Sequence, residues 1–331
     1  MKEKTIIAID GGTTHTRLWV VEVQTRAVLY SDRAAIGARD GTNPQGRARI
    51  ATEIAGLIRR AIVDCETRGI VVGSAFAAGM IGSPQGLCEV SHVPAPAGLA
   101  ELAAGMVRVD LPGELQLSIV PGVRFGPQRV TVAEVGETDV VRGEEILCLG
   151  LHSEGLLPDN GTIVNLGSHW KRLGLDGDAR LAQSISCLSG EFLQAVSQHT
   201  ILASALPDTL DGELDPEMVD AGAEVAARQG LGRALYCVRL MSVRAGADAQ
   251  ACRAFLVGAA LASDLPVLLP QVAGRVQVVG RLALAEAFVR LGRTRGVDCQ
   301  VLSAEKAENA FRAGLLAIAL ADGDRGLPKT H

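Results

Sequence analysis

The chain contains 331 residues, a length that fits about two domains of ordinary size. Apolar residues make up 48% of it, and its formal net charge is −5, with lysines and arginines scattered along the sequence. Without a basic cluster a nucleic-acid partner is not expected, and an aromatic content of 3% argues against a stacking platform for single strands. A single arginine could still bind the carboxylate of a small anionic substrate.

The seven cysteines predict neither a zinc site nor a disulfide scaffold. No two of them form a CxxC pair and their number is odd, so we expect reduced, mostly buried thiols. The sequence shows no signal-peptide pattern and no apolar run of about 20 residues. We therefore expect a cytoplasmic protein without a membrane partner; its oligomeric state stays open, a homodimer included.

The first predicted elements are two strands joined by a glycine-rich turn. Residues 5–10 form a short β-branched run typical of a buried strand, and residues 17–23 are again strand-like. A Rossmann or P-loop nucleotide site would place a helix after the turn, and no GxxxxGK[ST] motif occurs. The turn at 11–16 is therefore predicted to be a hairpin loop, with a third strand at 26–31.

A helix at 46–68 follows, since apolar residues recur on one stripe at helical spacing. Residues 70–72 read as the next strand, and the strand–helix–strand order predicts a parallel pairing with a right-handed crossover. A loop at 94–98, a strand at 115–120 and a helix at about 145–152 complete the first half.

A second series of elements begins near residue 161. Strands are predicted at 162–165 and 170–175, around a turn at 166–169. The later elements are predicted in the order helix 189–204, helix 216–228, helix 231–244, helix 249–264, strand 276–280, helix 282–293, strand 299–302 and helix 306–320.

An internal repeat organises the chain. Asp10-x-Gly12-Thr13-x-x-x-Arg17 aligns with Asn165-x-Gly167-Ser168-x-x-x-Arg172, and both follow an apolar strand. We therefore expect an α/β protein of two related domains, residues 1–155 and 156–331, with a cleft between them.

The first turn has the groups needed to hold phosphate and a metal ion. Gly12 lets the backbone approach an anion closely, and Thr13 and Thr14 add hydroxyl donors. Asp10, at the carboxyl end of its strand, could hold a hydrated Mg²⁺ that bridges phosphates. The alternative is a plain hairpin whose glycines serve geometry alone.

Three further groups are candidates, each with a structural alternative. The second turn offers Gly167, Ser168, His169 and Lys171 as another anion clamp, or is an ordinary hairpin. In the block 139–145, Arg142 could bind a carboxylate while Glu144 accepts a hydroxyl proton, or the acids merely favour a helix start. Gly280 could let a nucleoside base lie against the backbone, or is a common strand-to-helix glycine.

Together these motifs resemble the 2-dehydro-3-deoxygalactonokinase family of actin/hexokinase-type (ribonuclease H-like) kinases, nearly from end to end. The resemblance is carried by Ile9-Asp10-Gly11-Gly12-Thr13-Thr14-x-x-Arg17-x-Trp19, Ala78-Gly79-Met80-Ile81-Gly82-Ser83-x-x-Gly86-x-x-Glu89, Val141-Arg142-Gly143-Glu144-Glu145, Gly167-Ser168-His169-x-Lys171, Ser189-Gly190-Glu191 and Phe311-Arg312-Ala313-Gly314. The RGEE and GSHxK blocks in that order are fairly specific, whereas a DxGxT turn is shared by many kinases.

The resemblance implies transfer of phosphate from ATP, with Mg²⁺, to the 6-hydroxyl of 2-dehydro-3-deoxy-D-galactonate, in galactonate breakdown. It also implies the remaining site assignments: Gly11 and Arg17 for the nucleotide, and Ser83, Glu89 and Glu191 for the sugar acid. The first turn departs from the family, which usually has Trp at position 11 and a smaller polar residue at position 15. Asn165, in turn, supplies no second acidic ligand. These departures bear on substrate identity more than on phosphoryl transfer.

The mechanism expected from these assignments places Mg²⁺ on Asp10 through water and the phosphates on the turns 11–14 and 167–169. Arg142 would pair with the substrate carboxylate, Glu144 would be the base, and closure of the domains would exclude water. Two other functions stay open: another sugar kinase of the same fold, or a sugar-sensing regulator with little turnover.

Overall fold

The computed structural model describes residues 4–113, 115–270 and 274–323. In chain order its strands are β1 Thr5–Gly11, β2 Thr16–Glu22, β3 Val28–Ala34, β4 Ala75–Gly79, β5 Val93–Pro94, β6 Val107–Leu111, β7 Leu115–Ile119, β8 Val123–Phe125, β9 Asp139–Val141, β10 Thr162–Leu166, β11 Trp170–Leu175, β12 Leu181–Cys187, β13 Val276–Gly280 and β14 Cys299–Val301. Its α-helices are α1 Pro44–Thr67, α2 Leu99–Ala104, α3 Glu144–Ser153, α4 Ser189–His199, α5 Pro216–Gln229, α6 Leu231–Leu240, α7 Ala249–Leu268, α8 Leu282–Thr294 and α9 Ala304–Gly323.

The contacts between residues divide the chain into two compact units. The first comprises the described residues of Met1–Asn160, Leu175–Gln183 and Ala307–His331, and the second those of Gly161–Gly174 and Ser184–Lys306. The chain thus returns to the first unit twice, once around the turn between β11 and β12 and once through most of α9.

The first unit is built on a six-stranded sheet in the order β3-β2-β1-β4-β7-β6. β1 pairs antiparallel with β2 and parallel with β4, so the predicted hairpin and the predicted parallel crossover partner are both found. α1 begins at Pro44, where the side chain of Asn43 accepts the N–H of Gly46 and caps the helix. Its apolar stripe packs against the buried face of β1 and β2.

The second unit repeats this design in a five-stranded sheet with the order β12-β11-β10-β13-β14. β10 pairs antiparallel with β11 and parallel with β13, as β1 does with β2 and β4. Numbered within each half, both sheets share the strand order 3-2-1-4, and beyond the fourth strand the first sheet continues with β7 and β6 and the second with β14. The internal repeat read from the sequence therefore corresponds to a repeated four-strand topology.

The register of the two hairpins corrects one detail of that repeat. Asp10 lies opposite Arg17, but Asn165 lies opposite Lys171 and not opposite Arg172. The second turn is one residue shorter, so Lys171 takes the place that Arg17 has in the first hairpin. Lys171 is buried in the strand, with 7% of its surface exposed.

Several elements differ from the sequence prediction. Residues 70–72 form no strand, and the parallel partner of β1 begins at Ala75. The hydroxyl of Thr5 donates to the carbonyl of Val71 and accepts the N–H of Gly73. These two side-chain hydrogen bonds take the place of backbone pairing between strands in this segment. The helix predicted at 189–204 ends at His199, and α6 ends at Leu240 in a short π-helical turn.

Other elements were not predicted at all, namely α2, β6, β12 and the small sheet β5-β8-β9. The small sheet leads through β9 into α3, and α3 packs closely on α9. A β-carbon at Gly150 would lie 1.7 Å from the carbonyl oxygen of Ala310, so the two helices approach at glycine. This packing brings α9 into the neighbourhood of the β1–β2 turn.

The core of the second unit is organised around α7. Within the described part of the chain, this helix is the one whose length and composition would allow it to cross a membrane, but 67% of its most apolar window is buried. α7 packs against α5 and carries two ionisable side chains within its apolar sequence, Arg253 and Asp264.

Candidate functional site

The first turn is braced from behind, which leaves its tip exposed. The N–H of Gly12 donates to the carbonyl of His15, and the carbonyls of Gly12 and Thr13 accept the N–H groups of Ala38 and Arg39. Among the described residues no backbone carbonyl accepts the N–H of Thr13 or Thr14. A braced hairpin whose N–H groups have no backbone acceptor is suited to an anion.

Gly11 is the last residue of β1 rather than part of the turn. A β-carbon at this position would lie 2.5 Å from the β-carbon of Ile81, so the strand and the segment after β4 touch here. At the position where the family usually has Trp, this chain therefore has a close packed contact.

Asp10 lies at the carboxyl end of β1 and its side chain is 17% exposed. Burial raises the pKa of this carboxyl, and the guanidinium of Arg17, 2.5 Å away, opposes the rise. The charges of Glu308 and Glu144 also raise the pKa, so the carboxyl of Asp10 lies within reach of two further negative charges. A cation would be stabilised there.

Glu308 is a residue that the sequence reasoning missed. It lies on α9, 3.5 Å from Arg17 and 2.6 Å from Arg312. Both arginines also lie over the ring of Trp19, at 5.6 and 5.4 Å from its centroid. Arg17 is therefore shared between Asp10 and Glu308; no local motif connects residues 10 and 308.

A hydrated Mg²⁺ fits this arrangement. Within the described ranges no group of three or more His, Cys, Asp or Glu residues could hold a metal ion by itself. Magnesium is usually held by one or two carboxylates together with substrate phosphates and water. Asp10 could supply that single carboxylate.

The two glutamates at the start of α3 have different environments. Glu145 is fully buried, and both of its oxygens accept the N–H of Gly143, at 2.8 and 2.7 Å. Glu144 is half-buried, and one of its oxygens lies 3.3 Å from the N–H of Arg142. Glu145 therefore stabilises the start of α3 by binding its backbone. Glu144, in contrast, is close enough for its charge to raise the pKa of Asp10.

A close backbone contact places this helix start beside the first sheet. Gly143 has a φ of 109°, and a β-carbon there would lie 3.3 Å from the α-carbon of Gly79 at the end of β4. Only glycine adopts this conformation at low cost. β4 is the neighbour of β1 at the level of Asp10.

Arg142 has a buried donor without a partner. Its NH2 group donates to the carbonyl of Val90 at 2.7 Å and lies 3.3 Å from the ring of His92. Its NH1 group is buried and makes no hydrogen bond within the described residues. Burial lowers the pKa of the guanidinium, opposed by the charges of Glu145 and Glu89.

Ser83 is the second buried group of this region without a partner. The residue is 5% exposed, and its hydroxyl makes no hydrogen bond within the part of the chain that the structure describes. Its neighbour Gly82 touches Arg142, because a β-carbon there would lie 2.8 Å from NH1. Buried donors without partners are unusual in a protein interior, and here one belongs to the residue after the glycine that touches the other; such donors suit an oxygen-rich anion.

Glu89 and Glu191 are placed differently from these residues. Glu89 is exposed and acts on Arg142 only through its charge, with no ion pair between them in the described ranges. Glu191 belongs to the second unit, 3.4 Å from His169, and its N–H donates to the carbonyl of Ser168 at 2.9 Å.

The second turn is clamped by the start of α4. A β-carbon at Gly190 would lie 2.2 Å from the carbonyl oxygen of Gly167, so the first turn of the helix rests on the loop. Ser189 donates to the carboxylate of Asp264 on α7. Burial raises the pKa of Asp264, and the hydrogen bonds from Ser189 and Cys187 oppose the rise.

Gly280 ends β13 opposite Leu166, beside the second turn, and α8 starts two residues later. Next to it lies a cavity of about 870 Å³ in the second unit, lined in part by Asp211, Glu213, Arg281 and Leu282. Its volume is in the range of small-molecule pockets.

Comparisons with known proteins agree with the sequence resemblance. The sequence model of the 2-keto-3-deoxy-galactonokinase family matches residues 10–318. The crystal structure of a proposed 2-dehydro-3-deoxygalactonokinase from Sinorhizobium meliloti is similar, with 25% identity, 96% of this chain and 98% of that chain covered, and a TM-score of 0.75. The predicted actin/hexokinase-type α/β fold is thereby confirmed. A search of curated proteins gives no match.

Two other solved structures are similar at a lower level. One is the activator of the 2-hydroxyisocaproyl-CoA dehydratase from Clostridium difficile, with 14% identity, 99% of both chains covered and a TM-score of 0.48. The other is a proposed N-acetylglucosamine kinase from Chromobacterium violaceum, with 17% identity, 94% of this chain and 99% of that chain covered, and a TM-score of 0.43. Neither supports a functional argument.

Proposed function

Because the chain belongs to the 2-keto-3-deoxy-galactonokinase family of sugar kinases, we propose that it transfers the γ-phosphoryl group of ATP to the 6-hydroxyl of 2-dehydro-3-deoxy-D-galactonate. The reaction would serve galactonate breakdown in the cytoplasm. The observation that carries the choice of an acidic sugar is the pair of buried donors without partners, Arg142 NH1 and Ser83 Oγ. A neutral sugar has no anion to place between them.

The residues of the first unit take separate roles in this proposal. Arg142 and Ser83 bind and orient the carboxylate of the sugar acid. Glu144 accepts the proton of the attacking hydroxyl, since it is the less buried of the two glutamates and lies near Asp10. Asp10 would hold Mg²⁺ through water, and the N–H groups of Thr13 and Thr14 would bind phosphate oxygens.

Bound Mg²⁺ would neutralise charge on the phosphates of ATP during the transfer. With Mg²⁺ bound near Asp10, Arg17 would keep Glu308 as an ion-pair partner and would be available to bind a phosphate oxygen. For the second unit we retain the predicted roles. The phosphates would contact Gly167, Ser168, His169 and Lys171. The nucleoside base of ATP would lie against the backbone at Gly280, beside the cavity. Glu89 and Glu191 remain predicted sugar-acid residues.

A side-by-side kinase assay tests the proposal. ADP release is measured with the galactonate and gluconate epimers of the 2-keto-3-deoxy acid and with neutral N-acetylhexosamines. We expect the galactonate epimer to be phosphorylated fastest and the neutral sugars hardly at all. Faster turnover of neutral sugars would refute the carboxylate argument, and sugar-acid binding without ATP turnover would favour a sensor.

Arg142→Lys is expected to raise KM for the sugar acid by about 10–100-fold, because charge-assisted hydrogen bonds contribute about 1.5–3 kcal/mol each. A lysine ammonium keeps the charge but not the fork that presents NH1 next to Gly82. KM is measured by steady-state kinetics. The matched control is Arg124→Lys on the same small sheet, which should leave KM unchanged; an unaltered KM in Arg142→Lys would reject the carboxylate role.

A further inference from the structure

Arg253 is a buried arginine in the most apolar helix of the chain. It lies on α7 and is 2% exposed. Its NH1 group donates to the backbone carbonyl of Asp211, and its NH2 group donates to the backbone carbonyl of Glu213. Both terminal nitrogens are thus used on one loop, which lies some 40 residues earlier in the chain.

This arrangement is not what stability alone would favour. A buried guanidinium is costly unless it is well paired, and apolar residues of similar volume often stabilise such positions better. The Nε group of Arg253 is buried and has no partner within the described residues. Asp211 offers a counter-charge, but its carboxylate is also ion-paired with Arg281. What Arg253 does provide is a fixed position for two carbonyl groups.

The loop that Arg253 holds is a wall of the cavity beside Gly280. Residues 210–214 all line this cavity, opposite the start of α8 at Arg281 and Leu282. Arg253 does not line it, so its guanidinium supports the loop from behind. Gly212, at the centre of the loop, has a φ of 104°, and a β-carbon there would lie 3.0 Å from Arg253 NH1.

We propose that Arg253 is a positioning residue for nucleotide recognition: by holding the carbonyls of Asp211 and Glu213 it fixes the wall against which the base of ATP lies. The inference rests on the proposed function, since that function gives the cavity its ligand. Arg253 itself touches no ligand. Its effect is on the shape of the wall, and therefore on affinity for ATP and on the choice between bases.

Two variants alter the wall from opposite sides. Arg253→Lys replaces a two-pronged donor by a single ammonium that cannot reach both carbonyls, and Gly212→Ala adds a methyl group between the loop and the guanidinium without changing α7. Binding of the Mg²⁺ complexes of ATP, GTP and CTP analogues that cannot be hydrolysed is measured by calorimetry. Binding of the sugar acid alone is measured in parallel, and Arg228→Lys, exposed on α5, is the matched control.

We expect each variant to bind the ATP analogue about tenfold more weakly, because a loop that is no longer held in place must be ordered when the nucleotide binds, and to discriminate less between ATP and GTP. Sugar-acid binding should not change. A merely structural role for Arg253 would lower the melting temperature without altering the ratio of ATP to GTP affinity.

An unchanged affinity and base preference in folded Gly212→Ala and Arg253→Lys proteins would overturn this inference alone, provided that the wild type phosphorylates a sugar acid with ATP. A wild type that neither binds ATP nor uses it would overturn the proposed function and this inference together. If Arg253→Lys does not fold, Arg253→Met, which removes both donors at similar volume, takes its place. Gly212→Ala tests the wall alone, because a side chain at a φ of 104° strains the loop whatever Arg253 does.

Discussion

Replacing Glu144 by Gln is expected to lower kcat by about 10²–10⁴-fold, the usual contribution of a positioned general base. The amide keeps the shape and the hydrogen bond to the N–H of Arg142 but cannot accept the proton of the sugar hydroxyl. KM for the sugar acid should change little. The measurement is steady-state kinetics with the preferred sugar acid, together with thermal melting as a check on the fold.

Glu145→Gln is the matched control for this variant. Glu145 is fully buried and uses both oxygens on the N–H of Gly143, so its amide would lose one acceptor and present a donor to a donor. We expect a lower melting temperature and a kcat much closer to the wild type. If Glu145→Gln were instead the stable and inactive protein, the base would have to be reassigned to Glu145.

Asp10→Asn is expected to lower kcat by about 10³-fold, because a metal ion supplies several kcal/mol of charge stabilisation and each 1.4 kcal/mol is a factor of ten. The Mg²⁺ concentration for half-maximal rate should rise as well. The fold should not suffer, since burial already disfavours the charged form of Asp10 and Arg17 is half-exposed.

The control for Asp10→Asn is Asp110→Asn on the edge strand of the same sheet, where the side chain is exposed and bonds to Gln116. It should leave kcat and the Mg²⁺ requirement unaltered. Near-normal turnover of Asp10→Asn at ordinary Mg²⁺ concentrations would exclude Asp10 as the residue that holds the ion.

The parts of the fold that depend on local pattern could be predicted from the sequence. β1 is a short β-branched run, β2 is apolar over most of its length, and α1 has a capped start and a regular apolar stripe, so all three were found close to their true bounds. The strand expected at 70–72 failed because Val71 is apolar but 82% exposed. The backbone carbonyl of Val71 is instead hydrogen-bonded by the hydroxyl of Thr5, which lies 66 residues earlier in the chain, so no local pattern reveals the contact.

The candidate site shows the same limit. Asp10, Arg142 and Glu144 belong to recognisable motifs, and the charge of Glu144 contributes to raising the pKa of Asp10. Glu308 and Arg253 act through contacts with residues far away in sequence, so spacing could not identify them. One signal was available for Arg253: a charged residue within an apolar helix must find partners, or the helix would not be buried.

The contact between Gly79 and Gly143 has a consequence for how this enzyme could change its acceptor. The separation of Asp10 from the start of α3 is set by main chain against main chain, with no side chain between them. Substitutions at Ser83 or His92 could therefore change which acid is accepted while the distance from the proposed metal ligand, Asp10, to the proposed base, Glu144, stays the same. Natural or laboratory selection could therefore vary the side chains around the acceptor while the contact between Gly79 and Gly143 is kept.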